Sequence, residues 1–103
     1  MEKKYKVTYL PLFYEDLDQI IGYIINELNN PIAANNLLNE IEKSIEERIY
    51  NPTWYKEYKT NIKRKSIYYR INVKNYVIFY TVRNNIIEIR RILYAKRNLN
   101  KLI

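Results

Sequence analysis

The sequence predicts an α+β domain with the element order β-α-α-β-β-β, in which a helical hairpin packs on one face of a mainly antiparallel sheet. Two observations predict this class. Apolar residues recur at helical spacing over residues 13–49, and over residues 67–94 they alternate with polar ones. A length of 103 residues allows one modest core, so we expect residues 1–103 to form a single domain.

The first predicted elements are a short strand and a helix. Residues 5–10 alternate in polarity and stop at Pro11, which is typical of a strand. The period then becomes that of a helix, and its apolar stripe continues to Leu28. We expect Glu15 and Asp16 in the first turn of this helix, where the helix dipole stabilises negative charge.

A second helix is predicted directly after the first. Asn30 suits the N-cap, and Pro31 suits the first helical position, because an N–H at that position would have no helical partner. The second apolar stripe ends at Ile49, before the break at Asn51-Pro52. Two helices joined by so short a turn are expected to form an antiparallel hairpin.

Residues 51–66 show neither period and predict a long loop that is both basic and aromatic. Loops of this length in compact domains are usually functional or mobile. The triplet Lys63, Arg64 and Lys65 could bind a polyanion or could be a solvated charge run. We expect Trp54 to pack against the domain as a lid over the core.

Three strands are predicted at 67–73, 76–83 and 86–94, joined by the two-residue turns Lys74-Asn75 and Asn84-Asn85. Such turns require positive φ angles, which Asn tolerates. Two tight hairpins would fix the register of the sheet and therefore which side chains share a face.

In that register one face of the sheet is apolar and the other is mixed. The mixed face places Phe79 opposite Arg70 and Arg90, and Val77 opposite Ile92. Arg91 would fall on the apolar face, so we predict a strand end or a bulge near Arg90-Arg91. The basic tail from residue 95 onward is expected to leave the sheet.

Charge divides the chain into two unlike halves. Residues 1–50 carry five Lys or Arg against nine Asp or Glu, and residues 51–103 carry thirteen against two. The net charges are therefore −4 and +11. A basic surface of that strength attracts polyanions, and it could equally hold an acidic or amphipathic protein partner.

The composition excludes several kinds of chemistry. The chain has no Cys and no His, so disulfides, thiolate metal sites and a histidine base are all excluded. Its single glycine, Gly22, lies within a predicted helix, so there is no Gly-rich phosphate loop. We expect no metal, no cofactor, no signal peptide and no membrane span, and hence a soluble cytoplasmic protein.

The mixed sheet face has two interpretations. Arg70 and Arg90 could grip phosphate bidentately, with Phe79 or a tyrosine stacking on a base. Alternatively, the charges only solvate the face. The apolar members Val77, Phe79 and Ile92 favour a covered face, and a helix or strand of a partner protein is the simplest cover.

Five segments, in this order and spacing, resemble the RelE/ParE toxin superfamily of bacterial type II toxin–antitoxin systems. They are residues 28–34, 51–52, 69–71, 75–82 and 89–97. The resemblance spans nearly the whole chain and has the predicted element order. It implies a cytoplasmic toxin that a cognate antitoxin neutralises by wrapping around the sheet and the helical hairpin. The antitoxin-binding residues would be Val77, Phe79 and Ile92.

The superfamily divides by target, and the resemblance implies different roles for each. RelE-like members cut mRNA on the ribosome, for which the matching catalytic positions here are Arg70, Tyr94 and Arg97. Many relatives have His-x-x-Arg where this chain has Tyr94-Ala95-Lys96-Arg97, so a tyrosine would replace the histidine. ParE-like members poison DNA gyrase without chemistry of their own. Residues expected to bind either target are Lys63, Arg64, Lys65, Arg70, Phe79, Arg90, Arg91, Lys96 and Arg97.

Features of the sequence point to both targets. The helical hairpin with its Asn-Pro-x-Ala-Ala turn at residues 30–34 is more ParE-like, whereas Lys63 and Lys65 ahead of Arg70 are more typical of an RNA-cleaving member. We favour the ParE-like interpretation, in which the protein is not an enzyme. A third hypothesis is a non-toxic member retained as a binding partner or repressor component.

Overall fold

The computed structural model describes residues 4–59 and 66–103, and it contains a four-stranded mixed sheet. The strands are β1 (Lys6–Tyr9), β2 (Tyr69–Val73), β3 (Tyr76–Arg83) and β4 (Ile86–Tyr94). Their spatial order is β1-β4-β3-β2. Strand β1 runs parallel to β4, and the other neighbours are antiparallel. The predicted α+β class and element order are confirmed.

The first predicted helix is interrupted. Helix α1 (Pro11–Gly22) continues into a π-helical segment (Tyr23–Glu27) with a wider turn. Because α1 begins at Pro11, its first turn contains no acidic residue. The prediction that Glu15 and Asp16 lie in that turn was therefore wrong.

Helix α2 (Pro31–Glu46) begins where the sequence predicts. The Asn30 side chain accepts a hydrogen bond from the Ala33 N–H at 3.1 Å, which is the expected N-cap contact. Asn29, with φ of 49°, lets the chain turn sharply between the helical segments. A short helix, α3 (Leu99–Leu102), ends the chain.

Both sheet hairpins use one residue of positive φ, at Lys74 and Asn84. Strand β4 carries the predicted bulge: Tyr80 pairs with Ile89, whereas Phe79 pairs with Arg91, so Arg90 is the extra residue. Beyond the bulge the register therefore differs from the one predicted.

The shifted register corrects two expected pairs, Phe79 with Arg90 and Val77 with Ile92, since Phe79 lies opposite Arg91. Val77 lies opposite Leu93, and Ile92 lies opposite Ile78. The predicted pairing of Val77 with Ile92 was wrong, because one inserted residue exchanges the faces of every side chain that follows it. The same shift removes the misfit of Arg91, which now lies on the same face as Phe79.

The sheet is buried on both faces. The main core fills the space between β2–β4 and the helical hairpin, and it includes Phe13, Leu37, Ile41, Tyr80 and Ile89. A smaller cluster on the second face comprises Val77, Phe79, Leu93 and Leu99, with Tyr58, Tyr68, Leu102 and Ile103 packed against it. The tail leaves the sheet, as predicted, but then folds back as α3 and covers this second face.

The segment before β2 lies along the outer edge of that strand. Glu57 forms an antiparallel bridge with Tyr69, and the Tyr58 N–H donates to the Tyr68 carbonyl at 2.7 Å. Glu57 and Tyr58 of the predicted loop thus lie beside the sheet.

Candidate functional site

The mixed sheet face is covered in this conformation. Val77 and Phe79 have no accessible surface. The Tyr58 ring packs edge-on against Phe79, with ring centroids 4.9 Å apart, and Leu99 of α3 completes the cluster. The face is covered, as the apolar residues favour, but the cover comes from the chain's own α3 and Tyr58. A partner reaches Val77 or Phe79 only if the tail or Tyr58 moves.

Ile92 lies on the other face, in the main core, and is fully buried there. The bulge at Arg90 is the reason, since it turns Ile92 towards the helices. Of the three predicted antitoxin contacts, Ile92 is thus the one that a tail movement would not expose.

Arg91, a predicted target-binding residue, is engaged within the molecule. Its Nε and Nη2 donate to the two oxygens of the Asp16 carboxylate at 2.7 and 2.9 Å, and its Nη1 donates to the Leu102 carbonyl at 2.6 Å. The two side chains are only 19% and 12% exposed. The hydrogen bond to Asp16 raises the pKa of Arg91, so the guanidinium stays charged. We call this arrangement of Asp16, Arg91 and Leu102 the tail clamp.

The tail clamp arises from the way β1 ends. Strand β1 stops at Tyr9, opposite Ile89, and α1 then lies beside the rest of β4. The Asp16 carboxylate also accepts a hydrogen bond from the Ile92 N–H at 3.2 Å, so it satisfies a β4 donor beyond the end of β1. Sequence reasoning missed Asp16. The available signal was Arg91 itself, an arginine on a predicted apolar face that needed an acidic partner.

Arg70 and Arg90 lie on the second face, each beside an aromatic ring. The Arg70 guanidinium is 5.6 Å from the Tyr58 ring centroid and bonds to the Asn72 side chain at 3.0 and 3.3 Å. The Arg90 guanidinium is 5.5 Å from the Tyr68 ring centroid. Both arginines are half-buried. Guanidinium groups held in this way are suited to binding carboxylate or phosphate.

A groove of about 280 Å³ lies beside Arg90, between the start of α1 and the end of the chain. Its other lining residues are Leu10, Pro11, Leu12, Tyr68, Arg91, Leu102 and Ile103. The groove is mainly apolar with a cationic wall, so it is suited to a small anionic group attached to an apolar body.

The three predicted catalytic residues are not assembled at one place. Tyr94 shares its face of β4 with Ile92, the helix face, and its ring packs edge-on against Tyr76 at 5.9 Å. Arg70 alternates with Tyr69 and Ile71, so it points to the second face. Strand spacing and rise place the Cα atoms of Arg70 and Tyr94 roughly 14 Å apart.

The basic residues of the tail lie in solvent. Lys96 and Arg97 are exposed in the turn after β4, where the Arg97 N–H donates to the Tyr94 carbonyl at 3.1 Å. Lys63, Arg64 and Lys65 lie outside the described residues. Of the residues predicted to bind a target, the accessible cations within the described part of the chain are therefore Arg70, Arg90, Lys96 and Arg97.

Two further surfaces were not predicted. Trp54 is 79% exposed, so the prediction that it packs on the core was wrong. A groove of about 450 Å³ lies between β1 and the helical hairpin, with Glu42 and Glu46 among its lining residues. Burial and these two glutamates raise the pKa of Tyr9 in the same groove.

Among residues 4–59 and 66–103, no cluster of acidic side chains could hold a metal ion. None of the helices in the part of the chain that the structure describes is long and apolar enough to cross a membrane.

The family model described as "ParE toxin of type II toxin-antitoxin system, parDE" matches residues 7–99. Among curated proteins, none matches the chain in sequence. A chromosomal ParDE toxin–antitoxin structure from P. aeruginosa is similar in fold, with a TM-score of 0.73 and 14% identity over 90% of this chain and 98% of that one. The RelB–RelE complex of Methanococcus jannaschii gives a TM-score of 0.50 and 24% identity over 92% and 98%.

The fold is the one found in structures of ParDE and RelB–RelE toxin–antitoxin complexes. Because the family model covers nearly the whole chain, the protein belongs to the ParE toxin family of type II toxin–antitoxin systems. The predicted resemblance to the RelE/ParE superfamily is confirmed.

Proposed function

We propose that this protein arrests growth by binding DNA gyrase in the cytoplasm, with no bond-breaking step of its own. The observation that supports binding over RNA cleavage is the separation of Arg70 from Tyr94. Cleavage by the RNA 2′-hydroxyl needs a base, an acid and cations around one phosphate. Residues on opposite faces of a sheet and roughly 14 Å apart do not meet that need.

The gyrase contact would be made by accessible cations outside the tail clamp. Arg90, Lys96 and Arg97 are accessible, and none of them belongs to the tail clamp. Steering by such charges accelerates docking on an acidic or DNA-bound target.

A cognate antitoxin is the second partner that we propose. The family match supports it, and so does the fold likeness to two toxin–antitoxin complexes. Contacts of the antitoxin with Val77 and Phe79 remain a proposal, and they require α3 to move. The predicted contact with Ile92 would need the main core to open as well.

Ribosome-dependent mRNA cleavage is the alternative, and one observation favours it. Arg70 over Tyr58 and Arg90 over Tyr68 form a cationic and aromatic face suited to RNA. In this alternative Arg70 alone would act at the phosphate, and Tyr94 and Arg97 would need to be recruited from elsewhere in the fold.

The test is pulse induction of the toxin in a bacterium, with new DNA and new protein labelled in parallel, and supercoiling assays with purified gyrase. We expect replication to fall first and supercoiling to be inhibited. Replacing Lys96 and Arg97 together by Ala should weaken inhibition, whereas Lys43→Ala on exposed α2 should not.

The outcomes separate the candidates. An immediate fall in translation, with cut transcripts that disappear in Arg70→Ala, would establish the ribonuclease alternative and overturn the gyrase proposal. A folded toxin that affects neither process would support a non-toxic binding role.

A further inference from the structure

The segment that follows α2 presents large aromatic side chains to solvent, and the proposed function does not use them. Trp54 is 79% exposed, Tyr50 47% and Tyr55 41%. Trp is on average a well-buried residue, and neighbouring exposed aromatics usually mark a binding surface.

The exposure of Trp54 does not come from a loose chain. Pro52, two residues earlier, is fully buried, and its carbonyl accepts a hydrogen bond from the Tyr80 hydroxyl at 2.6 Å. The Trp54 N–H closes a turn onto the Asn51 carbonyl at 3.2 Å. Because Pro52 and this turn are fixed in the domain, the indole of Trp54 is held outward.

Tyr55 is held in place by a guanidinium. The Arg48 Cζ lies 3.4 Å from the Tyr55 ring centroid, and the Arg48 Nη1 donates to the Tyr80 hydroxyl at 2.8 Å. Burial raises the pKa of Tyr80, so this hydroxyl remains protonated and keeps donating to the Pro52 carbonyl. The network therefore ties Arg48, the loop and β3 into one pre-organised unit.

Cations continue from the aromatic residues towards the sheet. A pocket of about 310 Å³ is lined by Lys56, Glu57, Tyr58, Lys59 and Arg70. Glu57 pairs with Lys59 at 3.0 Å, so Lys56 and Arg70 are the cations of this pocket that form no ion pair within residues 4–59 and 66–103. Aromatic rings beside a run of cations are the pattern that binds single strands, since bases stack on rings and phosphates bind cations.

We propose that Trp54, Tyr50 and Tyr55, together with Lys56 and Arg70, form a binding surface for single-stranded nucleic acid. Trp54 is the stacking platform, and Lys56 and Arg70 bind phosphates. The ligand is single-stranded because only unpaired bases present their faces for stacking. This surface requires neither gyrase nor an antitoxin, so it goes beyond the proposed function.

Trp54 also supplies the measurement, because it is the only tryptophan in the chain. The isolated toxin is titrated with oligothymidylate and, separately, with oligouridylate, while tryptophan emission is recorded. We expect stacking to quench the emission and the affinity to fall as salt increases. The comparison of the two oligomers shows whether DNA or RNA binds more tightly.

Variants are compared by the anisotropy of a labelled oligonucleotide. Trp54→Ala should lower the affinity about ten- to hundredfold, and Trp54→Phe should lower it less. Tyr23→Ala is the control, because Tyr23 is also an exposed aromatic, at 55%, and lies in the acidic half of the chain. Circular dichroism confirms that each variant is folded.

Three results would overturn the inference. The first is an unchanged affinity in Trp54→Ala, which would indicate attraction by charge alone. The second is the absence of quenching by either oligomer at low salt. The third is quenching by a gyrase subunit only, which would assign this surface to a protein contact. Oligonucleotide binding without inhibition of supercoiling would overturn the proposed function and leave this inference standing.

Discussion

The two faces of the sheet are buried by different means. The helix face is covered by α1 and α2, whose apolar stripes supply Phe13, Leu37, Ile41 and Ile45 to one large core. The second face is covered by the short α3 and by side chains of neighbouring segments, and the tail clamp ties α3 to α1 and β4. The helix face is therefore covered through the burial of apolar area. On the second face, a few polar contacts help to hold α3 in place.

The difference indicates where the molecule can open. Removing α1 and α2 from the sheet would expose most of the core, which amounts to global unfolding. Removing α3 exposes a small cluster and breaks one clamp, so it belongs to the low free-energy openings of a native protein. The comparison can be tested on each face separately.

Matched leucine truncations should differ most. Leu37→Ala in the main core should lower the free energy of unfolding by about 2–5 kcal/mol. Leu99→Ala on the second face should cost less than about 2 kcal/mol, because α3 can detach locally instead of leaving a rigid cavity. Urea denaturation measures both. Equal losses would show that the second face is as firmly built as the first.

Breaking the tail clamp should have the next largest effect. Asp16→Asn leaves Arg91 mostly buried without its carboxylate, which should cost about 2–3 kcal/mol. Amide hydrogen exchange should accelerate at Lys101 in α3 and at Ile103, whose N–H bonds to the Leu99 carbonyl, before it does in α2. Exchange that accelerates equally in both helices would contradict a clamp that acts on the tail alone.

Alkaline pH should weaken the helix face. Burial raises the pKa of Tyr69 and Tyr80 above the ordinary value of 10.0. Their contribution to stability is fully present below about pH 10 and is lost as the pH rises through the folded-state pKa, because the unfolded chain ionises first. The free energy of unfolding should therefore be lower above pH 10 than at neutral pH, and its decrease with pH should be shallower in Tyr80→Phe. A flat profile would contradict the burial argument.

The N-cap of α2 should contribute least. Asn30→Ala removes the acceptor for the Ala33 N–H and should cost about 0.5–1 kcal/mol in thermal unfolding. Asn30→Asp preserves that acceptor and should retain most of the stability. An Ala variant as stable as the wild type would mean that packing alone sets where α2 begins.

Residues whose role depends on local pattern were well predicted from the sequence. Asn30 and Pro31 identify the start of α2, and the alternation after residue 67 gives the three antiparallel strands. The misfit of Arg91 correctly indicates a bulge, but it does not reveal that the shifted register moves Ile92 to the other face.

The remaining errors concern contacts between distant parts of the chain. Asp16 and Arg91 are 75 residues apart in sequence, so no local period reports their pairing. The tail has too few apolar residues to show the pattern of an amphipathic helix, although Leu99 packs against Val77, Phe79 and Leu93 on the second face. Trp54 was expected to be buried because Trp residues usually are. Only the burial of Pro52, two residues earlier, shows why the Trp54 side chain is held outward.

The segment that lies beside β2 has a consequence for aggregation. The outer edge of a sheet offers unpaired backbone groups to any other extended chain. The bridge from Glu57 to Tyr69 and the hydrogen bond from Tyr58 to Tyr68 occupy the beginning of this edge. At the opposite edge, β1 has only four residues. A second chain therefore finds little length on which to add a strand, so edge-to-edge pairing between copies is disfavoured.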